Sequence, residues 1–365
     1  MKQRTARLVT TLMFTVGAVA STLWLVRPHQ PQAKPQTRAT SQGEGKRPAE
    51  PVVQANEFPK LYPVRVNGRT GFIDNTGKIA IKPQFPPLYI WGDFKDGMAR
   101  TSVSRQERPG YCCLFGFINA AGWEVVEPQY WEVEDFSEGL AAVLMGDRWG
   151  YIDREGRTTL GPRWIAAQSF SEGLAGVCEE GGDCGYIDKA GAWAIRGEHI
   201  NLISHFSEGL APNMIDARSF KFVYINRTGH TVIEGPFDEA RHFSGGLALV
   251  RFNGRWFHID KTGREVQKPE RIRSFMQNGK IGFMDAAGKV IMEPQIELAF
   301  EFSEGLAPVR VKGKWGYMDE GGRMVIKPRF YEAYKFSGGI AKVMPAFGWM
   351  GYIDKTGKYV WRPSR

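Results

Sequence analysis

Apolar and polar residues alternate with a two-residue period along most of the chain, in short runs separated by glycine-containing turns. The segment VKGKWGYMDEGGRMVIKP, residues 311–328, is representative. Because side chains on a strand point alternately to opposite faces, this pattern predicts two strands joined by a hairpin turn at Lys-Gly. A third short strand, MVIKP, follows an Asp-x-x-Gly turn. It ends at proline, which has no N–H to give a strand ladder.

The same pattern occurs nine times, each copy marked by an Asp or Asn at the first position of the turn. Glycine occupies the fourth turn position in every copy, where it supplies a positive φ at little cost, while the Asx side chain accepts backbone N–H groups. These turn residues are Asp74, Asn119, Asp153, Asp188, Asn226, Asp260, Asp285, Asp319 and Asp354. A structural role in the turn is predicted for all nine, since asparagine fills two positions and cannot act as a general base.

Two further motifs accompany the turn. FSEGLA or a variant precedes most copies, at residues 94–99, 136–141, 170–175, 206–211, 243–248, 302–307 and 336–341, and a KPQF-like segment follows most of them. The spacings between turn residues are 45, 34, 35, 38, 34, 25, 34 and 35. The longest contains an insertion around residues 104–113, and the shortest has lost one FSEGLA segment. The repeat domain is predicted to span residues 59–365.

These residues resemble the WG-repeat family, which is named for the Trp-Gly in sequences such as KWGYMDEGG. The Trp position varies here, and Val223 and Phe257 replace the glycine in two copies. Members of this family mostly lack an assigned biochemical function, so the resemblance implies an architecture rather than a reaction.

The predicted fold is all-β, made of tandem units of about 35 residues, each a three- to four-stranded meander. One unit cannot bury its own apolar face, so the copies must stack. The irregular spacing and the nine copies favour a curved, solenoid-like open array. A closed β-propeller, whose blades usually have about 40 residues and four strands, is the alternative.

The N-terminus predicts export. Lys2, Arg4 and Arg7 precede residues 8–26, which carry no charge. Residues 1–26 are therefore predicted to be a cleaved signal peptide or an uncleaved transmembrane anchor, with the rest of the chain across the membrane. Residues 27–58 are rich in proline and glutamine and are predicted to be a disordered tether. We expect a membrane-anchored, periplasmic or extracellular protein, of bacterial type.

The net charge of +9 does not indicate a nucleic-acid partner. Residues 1–60 contain nine Lys/Arg and three Glu, so most of the excess lies in the N-terminal segments, where anionic lipid is the expected neighbour. No basic stripe with interleaved aromatic residues occurs in the repeats. No sequence signature of a hydrolase, nucleotide-binding loop or zinc protease is found.

Two histidines and four cysteines are the remaining chemical candidates. His205 and His242 stand immediately before the FSEG-type phenylalanine in consecutive copies, so they are predicted to lie side by side, as a candidate metal-binding or pH-sensitive pair. The alternative is an exposed column of mixed polar residues. Cys178 and Cys184 flank a hairpin and are predicted to form a disulfide, while the state of Cys112 and Cys113 stays open. No cofactor is predicted.

The sequence predicts a non-catalytic binding or scaffold protein of the cell envelope that presents an extended β surface to a protein partner. Cell-wall or glycan binding is the second hypothesis, and a propeller-type hydrolase is the third. The Glu series in FSEG is interpreted as part of a turn or a solvated edge, because glycine replaces it in two copies.

Overall fold

A computed structural model describes residues 58–86, 90–105, 112–196, 200, 203–215, 220–266, 272–285 and 288–364. The predicted segment 1–26 and, except for Phe58, the predicted tether 27–58 lie outside the described residues. The described residues from Phe58 onward belong to one compact unit. The described part is all-β, as predicted, and contains no α-helix. Within it, no helix is long and apolar enough to cross a membrane.

The described strands form nine small antiparallel sheets, which we call blades 1–9 in chain order. Blades 1, 3, 5 and 7 have three strands and blades 2, 4, 6, 8 and 9 have four, in each case paired in sequence order. The three-stranded blades consist of Tyr62–Val66, Arg69–Ile73 and Ile79–Phe85 (blade 1); Leu140–Met145, Arg148–Asp153 and Thr158–Trp164 (blade 3); Leu210–Met214, Phe222–Asn226 and Thr231–Phe237 (blade 5); Ile272–Gln277, Lys280–Asp285 and Val290–Ile296 (blade 7).

The four-stranded blades begin with one more strand, in four of the five only two residues long, which we call the first strand. They consist of Ile90–Lys95, Met98–Ser104, Cys113–Asn119 and Glu124–Tyr130 (blade 2); Ala166–Ala167, Ala175–Cys178, Cys184–Ile187 and Trp193–Arg196 (blade 4); Glu239–Ala240, Leu247–Phe252, Arg255–Asp260 and Glu265–Val266 (blade 6); Leu298–Ala299, Leu306–Val311, Lys314–Asp319 and Met324–Phe330 (blade 8); Glu332–Ala333, Ile340–Ala346, Trp349–Asp354 and Tyr359–Ser364 (blade 9). The FSEG loop joins the first strand to the next strand.

The glycine of the Trp-Gly pair permits a close crossing of two strands within a blade. A Cβ on Gly116 would lie 2.2 Å from the carbonyl oxygen of Val126 in the neighbouring strand, so any other residue there would force the strands apart. Blade 5 has Val223 at this position. A glycine on the neighbouring strand, Gly235, permits the close crossing there instead. There a Cβ on Gly235 would lie 2.1 Å from the carbonyl oxygen of Phe222.

The prediction of an open array is wrong, and the alternative, a closed β-propeller, is what the structure shows. Blade 9 packs directly on blade 1. The Tyr352 hydroxyl donates to the Pro63 carbonyl at 2.9 Å, and the Tyr62 hydroxyl donates to the Ser337 carbonyl at 2.6 Å. The two tyrosine rings meet edge to face at 5.7 Å.

The irregular spacing favoured an open array wrongly, because each irregularity is absorbed within a blade. Most of the extra residues of the 45-residue interval lie between Met98–Ser104 and Cys113–Asn119 of blade 2, and the 25-residue interval is a blade without a first strand. Neither prevents a blade from packing on the next one. Closure buries the outer faces that two terminal units would otherwise expose. In open arrays, terminal capping units cover these faces.

The core lies between consecutive blades and consists of the apolar residues that alternate along each strand. One cluster joins Tyr151 and Trp164 of blade 3 to Phe170 and Val177 of blade 4. Equivalent clusters join seven more pairs of consecutive blades, and one of them contains Val64 and Ile73 of blade 1 with Ile340 and Tyr352 of blade 9.

Candidate functional site

The turn Asx side chains are engaged within their own turns. In Asp74, one carboxylate oxygen accepts the N–H groups of Thr76 at 2.8 Å and Lys78 at 3.1 Å. The same pair of bonds, to the second and fourth following residues, is made by Asn119, Asp153, Asp188, Asn226, Asp260, Asp319 and Asp354. The side chain of Asp285 lies outside the described part of the chain. Asparagine fits because an amide oxygen accepts these bonds as a carboxylate does.

The glutamates of the FSEG loops reach from one blade to the next. Glu138 of blade 3 accepts the N–H of Gly173 in the FSEG loop of blade 4 at 3.0 Å, and Glu172 of blade 4 accepts that of Gly209 in blade 5 at 2.9 Å. The same contact is made by Asp96, Glu208 and Glu304 with Gly139, Gly246 and Gly339. We call these five acids the carboxylate belt. They do more than form a turn or a solvated edge, which was the interpretation from the sequence.

A cation from the next blade completes most of these contacts. Lys189, the residue after a turn Asp, lies 3.1 Å from Glu138, and Lys261 lies 3.1 Å from Glu208. Lys355 pairs with Glu304, and Arg154 with Asp96. The Lys261 ammonium holds the pKa of Glu208 below its usual value; partial burial opposes the shift and the Gly246 N–H supports it.

The belt accounts for the two copies in which glycine replaces glutamate. Gly245 of blade 6 and Gly338 of blade 9 precede blades 7 and 1, and neither of these has an FSEG loop. With no loop to cap, no acid is needed. Comparing neighbouring repeats, rather than the same position in all repeats, would have revealed this contact in the sequence.

The belt acids sit in a backbone conformation that resists non-glycine residues. Glu138, Glu172, Glu208 and Glu304 have φ of 54–55°. A left-handed conformation at such a residue costs of order 1 kcal/mol. The contact with the next blade offsets this cost, which shows that the belt belongs to the structure of the ring.

Buried tyrosines form a second series of contacts between blades. The hydroxyl groups of Tyr151, Tyr186, Tyr224 and Tyr317 each donate to a main-chain carbonyl two residues before the FSEG-type phenylalanine of the next blade. Burial raises the pKa of Tyr186 to about 12 and also raises that of Tyr151. These tyrosines are neutral donors that join blades.

His205 and His242 are brought together as the sequence predicted, but face to face. Their rings stack with centroids 3.5 Å apart and planes 18° from parallel. The pKa of His242 is lowered to about 4, first by burial and then by His205. In stacked rings the nitrogen lone pairs point in parallel directions, so this arrangement does not clamp one ion between the rings. The described residues contain no group of three or more His, Cys, Asp or Glu side chains that could hold a metal.

The four cysteines form two different environments. Cys178 and Cys184 occupy facing positions on adjacent strands of blade 4 and are joined by a disulfide, with their Cα atoms 4.0 Å apart. Cys112 and Cys113 are free thiols beside the insertion in blade 2, and Cys112 is exposed.

The loops of the blades emerge at two opposite faces of the ring. FSEG loops and Asp-x-x-Gly turns emerge at one face because they join strands at the same end of each blade, while the other hairpins emerge at the opposite face. On this hairpin face, apolar residues are exposed in several blades: Ile215, Phe220, Phe252, Tyr331, Phe347 and Trp349. Trp164 is buried and Trp131 is partly buried.

A family model for the WG containing repeat matches residues 71–103, 115–149, 149–182, 224–256, 281–315 and 315–344. The chain belongs to the WG-repeat family. The matches confirm the resemblance read from the sequence, and they cover more than half of this WG-repeat protein. No curated protein matches its sequence.

Several solved structures are similar to this WG-repeat protein at low scores. A eukaryotic initiation factor is 10% identical over 82% of this chain and 84% of its own, with a TM-score of 0.34. Dihydro-heme d1 dehydrogenase NirN is 10% identical over 88% and 77%, with a TM-score of 0.37. AztD from Citrobacter koseri is 12% identical over 84% and 93%, with a TM-score of 0.29. At these scores none of them bears on the function.

Proposed function

We propose that this chain is a non-catalytic scaffold protein of the cell envelope whose hairpin face binds a protein partner. The observation that carries the proposal is an exposed aromatic cluster on blade 9, formed by Tyr331, Phe347 and Trp349. The rings of Tyr331 and Phe347 lie 6.0 Å apart, and 79% of Phe347 is exposed. Exposed aromatic residues clustered on a rigid scaffold are typical of protein interfaces.

The use of the repeated polar residues supports a binding role over catalysis. The turn Asx groups cap their own turns, the belt acids bind the next blade, and the tyrosine hydroxyls bind carbonyls across the blade interface. The chemistry that recurs in the chain is therefore committed to building the ring. Function then depends on residues that differ between blades, and the hairpins carry such residues.

The test is affinity capture with the full-length chain on a membrane-and-wall extract, comparing the wild type with Phe347→Ser. Trp123→Ser is the matched control, because Trp123 is 64% exposed and follows the Asp-x-x-Gly turn of blade 2 on the other face. We expect a discrete protein that is retained by the wild type and by Trp123→Ser, and lost with Phe347→Ser.

Prior muramidase digestion of the extract separates the glycan alternative. Retention of the same protein with and without digestion supports the proposal. Retention of wall material that disappears on digestion would replace it with cell-wall binding. Equal capture by all three variants would remove the blade 9 cluster as the binding surface.

A further inference from the structure

Blade 7 lacks the first strand that its neighbours have. Five residues separate Val266 from Ile272, whereas 14 separate the equivalent Val325 and Ile340. In the described residues, Ile272–Gln277 therefore forms an edge of its sheet. In blade 8 the equivalent edge is covered, because Leu298 pairs with Arg310 and Ala299 with Val309.

The residues beside this gap are more exposed than their equivalents. Phe302 of blade 8 is 38% exposed, whereas the phenylalanine at the same position in blades 3, 4, 5, 6 and 9 is at most 2% exposed. Ala299 is exposed, but the equivalent Ala167 and Ala333 are buried. Met276, Leu298 and Phe300 add further apolar surface, at 72, 50 and 56% exposed. A strand at the missing position would cover this surface.

The charges around the gap differ from those at the filled positions. Where a blade supplies a belt acid, the residue after the turn Asx of the next blade is basic: Arg154, Lys189, Arg227, Lys261 and Lys355. Blade 7 supplies no acid, and the equivalent residue of blade 8 is Glu320. A strand added here would meet a carboxylate at the point where the other blades present a cation.

We propose that the first-strand position of blade 7 binds an extended segment of a partner protein, which pairs with Ile272–Gln277, covers Phe302 with an aromatic side chain, and presents Lys or Arg to Glu320. Blades 4, 6, 8 and 9 show what fits, since in each of them a two-residue strand of this chain, followed after two more residues by Phe-Ser, occupies the place. Strand addition to an open edge is an established mode of peptide binding. The proposal rests on the proposed function as a binding scaffold, but uses a different surface from the hairpin face.

The probe is a fluorescent peptide, YEAYKFSKG, which copies residues 331–339 with Lys at the place of Gly338. Anisotropy with the full-length chain should show saturable binding. YEAYKFSEG should bind roughly two- to fivefold more weakly, because its Glu meets Glu320 at an exposed position. YEAYKDSKG, in which Asp replaces the phenylalanine, should not bind. YEAPKFSKG should also fail, because its proline removes the N–H that Tyr334 donates to the Lys342 carbonyl in blade 9.

The matched variant fills the gap with the chain's own strand. A second copy of residues 331–339, inserted between Arg271 and Ile272, restores a spacing of 34 and should abolish peptide binding. Met276→Glu combined with Leu298→Glu is a second test that does not depend on the insertion folding, and it should weaken binding at least tenfold. Trp123→Ser, on the surface of blade 2, should leave peptide binding unchanged.

Each outcome decides between the two proposals. Peptide binding that is lost in the filled variant supports strand addition, and equal binding to both forms would overturn it. If no peptide binds but partner capture still depends on Phe347, strand addition fails and the proposed function stands. If the wild type is a dimer in sedimentation and the filled variant is a monomer, the occupant is a second copy of this chain, and the partner assignment is wrong.

Discussion

Removing single hydroxyl groups from the buried tyrosines should reveal how much the contacts between blades contribute. The Tyr186 hydroxyl donates to the Ser204 carbonyl at 2.8 Å and accepts the Ser204 N–H at 3.2 Å. Both residues are buried, so Tyr186→Phe leaves a donor and an acceptor unpaired away from water. Each lost hydrogen bond costs about 1 kcal/mol, and the two unpaired groups add a further penalty. We therefore expect the free energy of unfolding to fall by about 3 kcal/mol.

Tyr224→Phe should cost less. Its hydroxyl makes one bond, to the carbonyl of Arg241 at 2.6 Å, and Arg241 is exposed, so water can replace the lost donor. We expect the free energy of unfolding to fall by about 1 kcal/mol. Tyr331→Phe is the matched control, because its ring is largely exposed, and it should change stability by less than about 0.5 kcal/mol.

Urea titration followed by tryptophan fluorescence measures all three variants against the wild type. The slope against urea should stay the same, so that shifts of the midpoint report stability. Equal losses of stability in Tyr186→Phe and Tyr224→Phe would refute the reasoning from burial and from the number of hydrogen bonds. A neutral Tyr186→Phe would show that the blade interface relaxes around the missing hydroxyl.

Three further predictions concern charge and cysteine chemistry. Glu208→Gln should lower the melting temperature at pH 7. The effect should decrease as the pH falls through the lowered folded pKa of Glu208, because that carboxylate stabilises the fold only when ionised. An equal decrease of the melting temperature at pH 7 and pH 3 would contradict this. His242 stays neutral in the fold down to about pH 4 while the unfolded chain takes up a proton near pH 6.5, so stability should fall between these values by no more than about 3 kcal/mol. His242→Asn should flatten that fall in pH-dependent urea titrations. Thiol labelling of the denatured protein should find two reactive cysteines before reduction and four after it, and Cys178→Ser should cost about 2 kcal/mol in the oxidised protein, because the bridge with Cys184 closes a short loop.

The sequence alone determined the local structure of the repeat. Alternation with a two-residue period gives strands because only a strand places alternate side chains on one face, and the invariant turn glycine gives the turn because other residues pay for a positive φ. The side-by-side histidines also follow from repeat position, because equivalent positions of stacked units become neighbours. The pairing of Cys178 with Cys184 follows from the hairpin that these two residues flank, because a hairpin places them opposite each other on adjacent strands.

The closure of the ring was decided by tertiary structure. The angle between consecutive blades depends on how bulky side chains pack across the interface, and that angle is not encoded in any local pattern. Small rotations accumulate over nine units, so a modest difference per blade separates an open array from a ring. Tyr62 and Tyr352, 290 residues apart, look like any other copies in the sequence and become neighbours only after closure.

The carboxylate belt falls between these two cases. The sequence contains an acid in one repeat and a base in the next, in pairs such as Glu138 with Lys189. These pairs can be recognised as contacts only when a loop of one blade is known to reach the next, because charge pairs between residues this far apart have no local signature. The same holds for the gap at blade 7. The 25-residue spacing shows that a segment is missing, but only the packed ring shows that its absence leaves a strand edge and Phe302 exposed.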